Sequence, residues 1–132
     1  MPSDDAGGPA GALPLVLLVE DSALVTSALR ILFEETGRRV AVAESVAAAV
    51  DACVAEPPAL MLLDLTLPDG DGLRVLDEAR ERRSAPAVTV AMTGHDDDAT
   101  RARCLAAGCV DVLLKPVPAR ELLARAEGWL GL

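Results

Sequence analysis

Five polar residues of complementary type come directly after short apolar stretches of the chain: Glu20, Asp21, Asp64, Thr93 and Lys115. The set consists of three carboxylates, one hydroxyl and one ammonium group. Carboxylates that crowd together must bind protons or recruit a cation, because like charges repel at close range. An all-oxygen site with few protein ligands suits Mg²⁺, which keeps several waters and also binds phosphate oxygens. Brought together, these residues would suit chemistry on a phosphoryl group.

Each residue type has a role in such chemistry. A carboxylate beside a bound cation can attack phosphorus and form an aspartyl-phosphate, while the cation neutralises charge on the transferring group. The Lys115 ammonium can pair with a phosphoryl oxygen, since two unit charges about 4 Å apart attract by a few kcal/mol at an effective dielectric near 20. The Thr93 hydroxyl can donate a hydrogen bond to another oxygen. The set therefore predicts phosphoryl transfer to a carboxylate.

The apolar stretches that precede these residues predict the strands of a parallel sheet. Leu15–Val19, Leu60–Leu63 and Val88–Met92 are apolar nearly throughout, which is typical of parallel strands covered on both faces. Val40–Ala43 and Val112–Leu114 predict two shorter strands. We therefore expect five strands, with the polar residues at their carboxyl ends.

Helical patterns separate the strands, and they are predicted over Ser22 to about Glu35, Val46–Ala55, Leu73 to about Arg83, Asp96–Asp98 to Gly108, and Pro118 to the end. In the first of these, apolar residues at positions 24, 28, 31 and 32 show helical spacing. Strand–helix alternation predicts right-handed crossovers and an α/β doubly wound domain. With strand order 2-1-3-4-5, strands one and three are neighbours, and their carboxyl ends form the crevice where ligands bind in such folds.

Length and charge limit the possible functions. A chain of 132 residues suits one domain, which we place at residues 14–132 after a flexible tail at residues 1–13. The net charge of −9 argues against direct binding of nucleic acid or of an anionic membrane surface. No apolar run approaches the roughly 20 residues of a membrane span, and the acidic N-terminus does not fit a signal peptide. Three cysteines without CxxC spacing predict free thiols in a reducing cytoplasm.

Four segments together resemble the receiver domains of bacterial response regulators, which act in two-component systems: LLVEDSALV (17–25), LLDLTLPDGDGL (62–73), VAMTG (90–94) and AAGCVDVLLKP (106–116). Each segment alone is a weak signal, but five matching positions in order, each at a strand end, are highly specific. The resemblance extends from about residue 15 to the end. It implies the CheY-like, flavodoxin-like form of the doubly wound (βα)5 fold.

The resemblance also implies a role for each carboxylate. Asp64 matches the family's phosphoacceptor, and Asp21 matches the direct ligand of Mg²⁺ or Mn²⁺. Glu20 matches the neighbouring acid that usually acts through water. The backbone carbonyl of Thr66 stands where the family supplies a third protein ligand to the metal. Thr93 matches the switch hydroxyl.

The remaining implications concern Lys115 and the partners. Lys115 matches the phosphate-pairing lysine, and the peptide bond to Pro116 is typically cis in the family. The family implies a signalling switch with weak autocatalytic phosphotransfer and autodephosphorylation. Its donor is a phosphohistidine on a sensor histidine kinase or a histidine phosphotransfer protein. It then regulates a downstream protein and does not bind nucleic acid directly or a membrane. The family also implies that the domain can form a weak homodimer.

Two positions depart from the family pattern. Val112 stands where the family often has an aromatic residue that follows the switch hydroxyl inward, and Val117 stands where Phe is common. We interpret Val117 as a packing substitution. For Val112 our hypothesis is that the conformational change is read through the loops after the third and fourth predicted strands.

Three alternatives compete with this interpretation. A phosphatase of the haloacid-dehalogenase type needs a second Asp two residues after the first, where this chain has Thr66. A receiver-like module that is never phosphorylated would not need a complete site. Asp69, Asp71 and Glu78 have EF-hand spacing, but Leu67 stands at position 1 of that motif and cannot bind calcium.

Overall fold

The computed structural model describes residues 13–95 and 97–130. Within these residues the chain forms seven strands and five α-helices. The strands are β1 (Leu15–Val19), β2 (Arg39–Ala43), β3 (Leu60–Asp64), β4 (Thr66–Leu67), β5 (Gly70–Asp71), β6 (Val88–Thr93) and β7 (Asp111–Leu114). The helices are α1 (Ala23–Glu35), α2 (Val46–Ala55), α3 (Arg74–Glu81), α4 (Asp98–Ala107) and α5 (Ala119–Trp129).

Five strands form one parallel sheet in the order β2-β1-β3-β6-β7. These are the five strands predicted from the sequence, so the predicted order 2-1-3-4-5 and the doubly wound fold are confirmed. The register pairs Val19 with Leu63 and Leu63 with Ala91. The carboxyl ends of β1, β3 and β6 consequently end at about the same level of the sheet.

The two remaining strands, β4 and β5, pair antiparallel with each other and form a short ribbon over residues 66–71. Pro68, Gly70 and Gly72 in this segment predict only a loop. Strands of two residues have no measurable periodicity, so no hydrophobic pattern could have indicated them. The ribbon lies in the β3–α3 loop (residues 65–73), directly after Asp64.

The helix starts agree with the capping residues in the sequence. The side chains of Ser22, Ser45 and Asp97 accept hydrogen bonds from the first turns of α1, α2 and α4. Asp96, which we included in the predicted start of α4, lies outside the described residues. Gly108 ends α4 in the left-handed conformation, with φ 108°. Pro118 occupies the N-cap of α5 rather than its first turn.

Hydrophobic side chains cover the sheet on both faces. Residues 17 and 19 of β1 point into a core closed by α2, α3 and α4, which includes Val50, Leu76 and Cys104. Residues 16 and 18 point into a second core closed by α1 and α5, which includes Phe33 and Leu122. This alternation explains why the central strands are apolar throughout.

The buried face of α1 differs from the one that the apolar spacing suggested. Thr26, Leu29 and Phe33 are buried, whereas Leu24 and Ile31 are 83% and 58% exposed. The first turns contain apolar residues on nearly every side, so spacing alone did not identify the face. A pair of large apolar side chains on α1 is therefore left in contact with solvent.

The predicted tail at residues 1–13 lies, except for Leu13, outside the described residues, and its flexibility stays a prediction. The domain predicted for residues 14–132 contains all of the elements above. None of the helices in the described ranges combines the length and apolarity required to cross a membrane.

Candidate functional site

Three carboxylates meet at the carboxyl ends of β1 and β3. Glu20, Asp21 and Asp64 each offer an oxygen atom, and these atoms lie within 4.8 Å of one another. The cause is the strand order, since β1 and β3 are neighbours and end at the same level. Oxygen donors at this spacing could share one hard divalent cation. The sequence prediction that these three side chains converge is confirmed.

Lys115 reaches this cluster from the end of β7. Its Nζ donates to Glu20 Oε1 at 2.8 Å and to Asp64 Oδ2 at 3.3 Å. The Glu20 side chain is only 2% exposed, so its charge would be costly to bury without this partner. Burial by itself would lower the pKa of Lys115, but the hydrogen bond with Glu20 and the charge of Asp64 raise it above its ordinary value. Lys115 therefore stays an ammonium group at neutral pH.

Asp64 is held by its own strand and by the loop that follows. It is the last residue of β3, whose five residues are all buried, and its Oδ1 accepts a hydrogen bond from the Thr66 amide at 3.1 Å. The amide of Leu65, the residue directly after Asp64, donates to the Met92 carbonyl of β6 at 3.1 Å. The carboxylate is thus fixed between a backbone donor on one oxygen and the Lys115 ammonium on the other.

Gly72 packs directly against the backbone of Asp64. A Cβ atom at this position would lie 2.1 Å from the Asp64 carbonyl oxygen. The Gly72 amide also donates to the Leu65 carbonyl at 2.9 Å, which closes the β3–α3 loop back onto the end of β3. From the sequence, Gly72 indicates only a loop, but in the structure its missing side chain allows this close approach.

Thr93 lies at the end of β6, one residue beyond the partner of Asp64 in the sheet. Its side chain is buried, and its hydroxyl oxygen accepts a hydrogen bond from the His95 amide at 3.0 Å. The hydroxyl is therefore engaged with the turn that leads to α4. Its predicted role as a switch hydroxyl stays a prediction, as does metal ligation by the Thr66 carbonyl.

The two departures from the family pattern have distinct surroundings. Val112 is 2% exposed and packs in the core closed by α2, α3 and α4. Val117 lines a mainly apolar cavity of about 290 Å³ between α1 and α5, which reaches Glu20 and Lys115. Leu29 and Leu122 form the walls of this cavity from the two helices. The Lys115–Pro116 peptide bond is cis, as the resemblance implied.

Three charged residues near the site were not assigned a role from the sequence. Asp69 accepts hydrogen bonds from the first amides of α2, and Asp71 forms an ion pair with Arg103 of α4. Asp69 and Asp71 stand in a Pro–Asp–Gly–Asp–Gly segment that indicated a turn, but their partners lie more than 20 residues away. Because these carboxylates have separate partners, they do not form the EF-hand excluded above.

The cysteines show no sign of reactivity. All three are buried free thiols. Burial raises the pKa of Cys53 to about 11 and that of Cys109 to about 12. The thiolate is the reactive form, so these side chains remain inert at neutral pH.

Comparison with known proteins gives a consistent result. The family described as "Response regulator receiver domain" matches residues 16–127. The transcriptional regulatory protein KdpE of Mycobacterium tuberculosis is 34% identical over 113 residues, which cover 86% of this chain and 49% of KdpE. The photosynthetic apparatus regulatory protein RegA of Rhodovulum sulfidophilum is 36% identical over 114 residues, covering 86% and 62%. The chain thus spans about half the length of KdpE and under two thirds of RegA.

Solved structures agree. A CheY-like response regulator receiver domain protein from Methanospirillum hungatei superposes with a TM-score of 0.83 at 26% identity, covering 91% of this chain and 95% of that one. The receiver domain of the sensor histidine kinase PA1611 from Pseudomonas aeruginosa superposes with a TM-score of 0.77 at 29% identity, covering 92% and 100%. That structure contains a magnesium ion coordinated in its active site cleft.

Proposed function

The chain belongs to the response regulator receiver family, and from this premise we propose that it accepts a phosphoryl group on Asp64 with the help of a divalent cation. The observation that carries the proposal is the approach of Lys115 to both Glu20 and Asp64 beside Asp21. Three carboxylates and one ammonium group in one crevice match what a phosphoryl group and its metal require. The complete set also disfavours a receiver-like module that is never phosphorylated.

The residues fit Mg²⁺, and Mn²⁺ by the same chemistry. Glu20, Asp21 and Asp64 supply only oxygen donors within 4.8 Å of one another, which suits a hard cation that keeps several waters. Asp21 is exposed, so it can bind a hydrated ion from solvent, while Glu20 is buried and paired with Lys115. We assign Asp21, Asp64 and the Thr66 carbonyl as direct ligands and Glu20 as a ligand through water. When bound, the cation supplies charge neutralisation at the phosphoryl oxygens.

Asp64 acts as the nucleophile. An oxygen of its carboxylate attacks the phosphorus of a phosphohistidine, and a new P–O bond forms as the P–N bond breaks. The electron pair of the broken bond stays on the imidazole nitrogen, which takes a proton from solvent. Lys115 moves from the carboxylates to a phosphoryl oxygen and stabilises the charge there. The Thr93 hydroxyl, which donates to the His95 carbonyl at 3.4 Å, turns from it and donates to a second phosphoryl oxygen.

The partner that donates the phosphoryl group is a sensor histidine kinase or a histidine phosphotransfer protein. The family membership supports this assignment, since the relatives named above are regulatory proteins. The domain also hydrolyses its own acyl phosphate, and its phosphorylated form regulates a downstream protein. The conformational switch, rather than turnover, is its function.

Incubation with acetyl phosphate and Mg²⁺, followed by intact mass measurement, tests the proposal. We expect wild-type protein to gain one phosphoryl group, and Asp64→Asn to gain none. Lys115→Met should be phosphorylated much more slowly, and chelation of the metal should stop the reaction. Asp51→Asn, which removes an exposed carboxylate on α2, serves as the matched control. An adduct of equal amount in Asp64→Asn would contradict the assignment of the phosphoacceptor.

A further inference from the structure

The β3–α3 loop is fastened to two helices through carboxylates that the proposed phosphotransfer does not use. Asp69 and Asp71 lie in the ribbon that begins two residues after Asp64. Each makes contacts far along the sequence, one with the start of α2 and the other with α4. These two contacts connect the loop beside the site to α2 and α4.

The first contact joins Asp69 to the N-terminus of α2, and we name it the α2 tether. Asp69 Oδ1 accepts from the Val46 amide at 2.8 Å, and Oδ2 accepts from the Ala47 amide at 3.1 Å. Ser45 caps the Ala48 amide at 3.1 Å, so Asp69 takes the two amides that the helix's own cap leaves open. These amides hold the pKa of Asp69 below its ordinary value. The carboxylate is thus a second cap, supplied by the loop rather than by the helix.

The second contact joins Asp71 to Arg103 of α4, and we name it the α4 tether. The other carboxylate oxygen of Asp71 accepts from the Leu73 amide at 3.0 Å, at the start of α3. Burial alone would raise the pKa of Asp71, but the Leu73 amide and the Arg103 guanidinium lower it overall. Asp71 is therefore held as a carboxylate between the loop and α4.

A continuous chain of contacts runs from Asp64 to Arg103. Asp64 Oδ1 accepts from the Thr66 amide, Thr66 pairs with Asp71 across the ribbon, and Asp71 binds Arg103. A phosphoryl group on Asp64 changes the acceptor that the Thr66 amide faces and adds charge beside it. Any readjustment of Thr66 moves its ribbon partner. Coupling between sites is carried by contiguous contacts of this kind when they have two arrangements.

The position of Val112 removes the alternative route through a rotating ring. This side chain is small and buried, so it has no exposed position from which to swing inward. We propose that Asp69 and Asp71 are positioning residues of the phosphoacceptor loop, and that the α2 and α4 tethers transmit the state of Asp64 to those two helices. The inference rests on the proposed phosphorylation of Asp64. For the loop after the third predicted strand, it gives the earlier hypothesis a set of named contacts.

Hydrogen exchange, read at the α2 N-terminus and along α4, tests the tethers on the full chain. Wild-type protein is compared with and without acetyl phosphate and Mg²⁺, and phosphoryl occupancy is measured by mass in the same samples. We expect phosphorylation to change exchange in both regions. Arg103→Gln should lose the response of α4 and keep that of α2, whereas Asp69→Asn should do the reverse. Arg120→Gln on α5 and Asp51→Asn on α2 are charge-matched controls that should respond as wild type does.

The outcomes separate this inference from the proposed function. If wild-type protein gains the phosphoryl group but neither region changes, or if both variants respond as wild type does, the tethers do not transmit the signal. A protein that gains no phosphoryl group overturns the proposed function and the transmission together. The positioning role is then read from the unmodified protein, where Asp69→Asn should raise exchange of the Val46 and Ala47 amides about tenfold, as expected for one lost charge-assisted hydrogen bond. Unchanged exchange at those amides would overturn that role as well.

Discussion

Lys115 Nζ lies closer to Glu20 Oε1, at 2.8 Å, than to Asp64 Oδ2, at 3.3 Å. The ammonium group is therefore held mainly by the buried acid and only secondarily by the residue that we propose to be phosphorylated. This arrangement holds Lys115 beside Asp64 while the hydrogen bond between them stays the longer of the two. It also makes the ionisation of Lys115 depend on Glu20 more than on any other residue.

Glu20→Gln should lower the pKa of Lys115. The hydrogen bond to Glu20 is the largest influence that raises this pKa, and burial, which lowers it, would remain. Because Lys115 is the only lysine of the chain, its ammonium signal can be followed selectively by ¹⁵N NMR during a pH titration. Glu44→Gln, an exposed change after β2, is the control. A Lys115 pKa equal in both variants would show that Glu20 does not hold the ammonium group.

Gly72→Ala should destabilise the domain by roughly 1–3 kcal/mol, the usual cost of overpacking. The new Cβ would stand 2.1 Å from the Asp64 carbonyl oxygen, so the backbone of the loop must move. Urea denaturation measures this effect, and the phosphorylation rate should fall with it. Gly128→Ala in α5 meets no atom within 4 Å and should instead stabilise by about 0.5–1 kcal/mol. A neutral Gly72→Ala would mean that the close approach is not constrained.

The polar residues at the strand ends were predictable, whereas the contacts of the loop were not. Continuous apolar runs fix where a buried strand ends, so Asp64 and Lys115 could be placed at one edge of the sheet from sequence alone. Asp71 and Arg103 are separated by 32 residues, and neither stands in a periodic pattern. Their contact depends on how α4 packs over the sheet, which local sequence does not encode.

For the helices, too, the position of each start was predictable from the sequence, whereas the face that packs against the core was not. The predicted starts of α1 and α2 agree with the structure to within one residue, because capping by Ser22 and Ser45 is a local hydrogen bond. The buried face of α1 could not be identified from spacing alone, since Leu24 and Leu29 are equally apolar and only the packing against α5 and β2 selects between them. Tertiary contacts, not propensity, made that choice.

Val117→Phe should raise stability by roughly 1 kcal/mol, the gain expected from burying the added apolar surface. Val117 lines the cavity of about 290 Å³ between α1 and α5, which is large enough to receive a phenyl ring. Thermal or urea denaturation measures the change. Val54→Phe, at a position 50% exposed on α2, adds the same ring outside any core and should change stability little. Destabilisation by Val117→Phe would show that the cavity cannot accept the ring.

Asp69→Asn should reduce the loss of folding stability that occurs as the pH falls into the acid range. The pKa of Asp69 is lowered from its ordinary value of 3.8, first by the Val46 amide and then by the Ala47 amide. A lowered pKa in the folded state contributes stability that is fully present above the ordinary pKa and is lost as the pH falls through the lowered value. Wild type should therefore exceed Asp69→Asn in urea midpoint at neutral pH, and the two should converge toward pH 2. Parallel curves at all pH values would contradict the α2 tether.

Leu24→Asp should impair phosphorylation by a protein donor while sparing phosphorylation by acetyl phosphate. Leu24 is 83% exposed near the start of α1, three residues after Asp21, and Ile31 is 58% exposed two turns later on the same side. A phosphohistidine must enter beside Asp21, so the protein that carries it would contact this apolar side of α1. An aspartate buried in that contact would slow phosphotransfer about tenfold. Phosphotransfer profiling with candidate kinases measures the rate. Leu105→Asp, at a position 48% exposed on α4, is the matched control. Equal losses with both donors would place the defect in Asp64 chemistry, and equal losses in both variants would exclude α1 as the docking side.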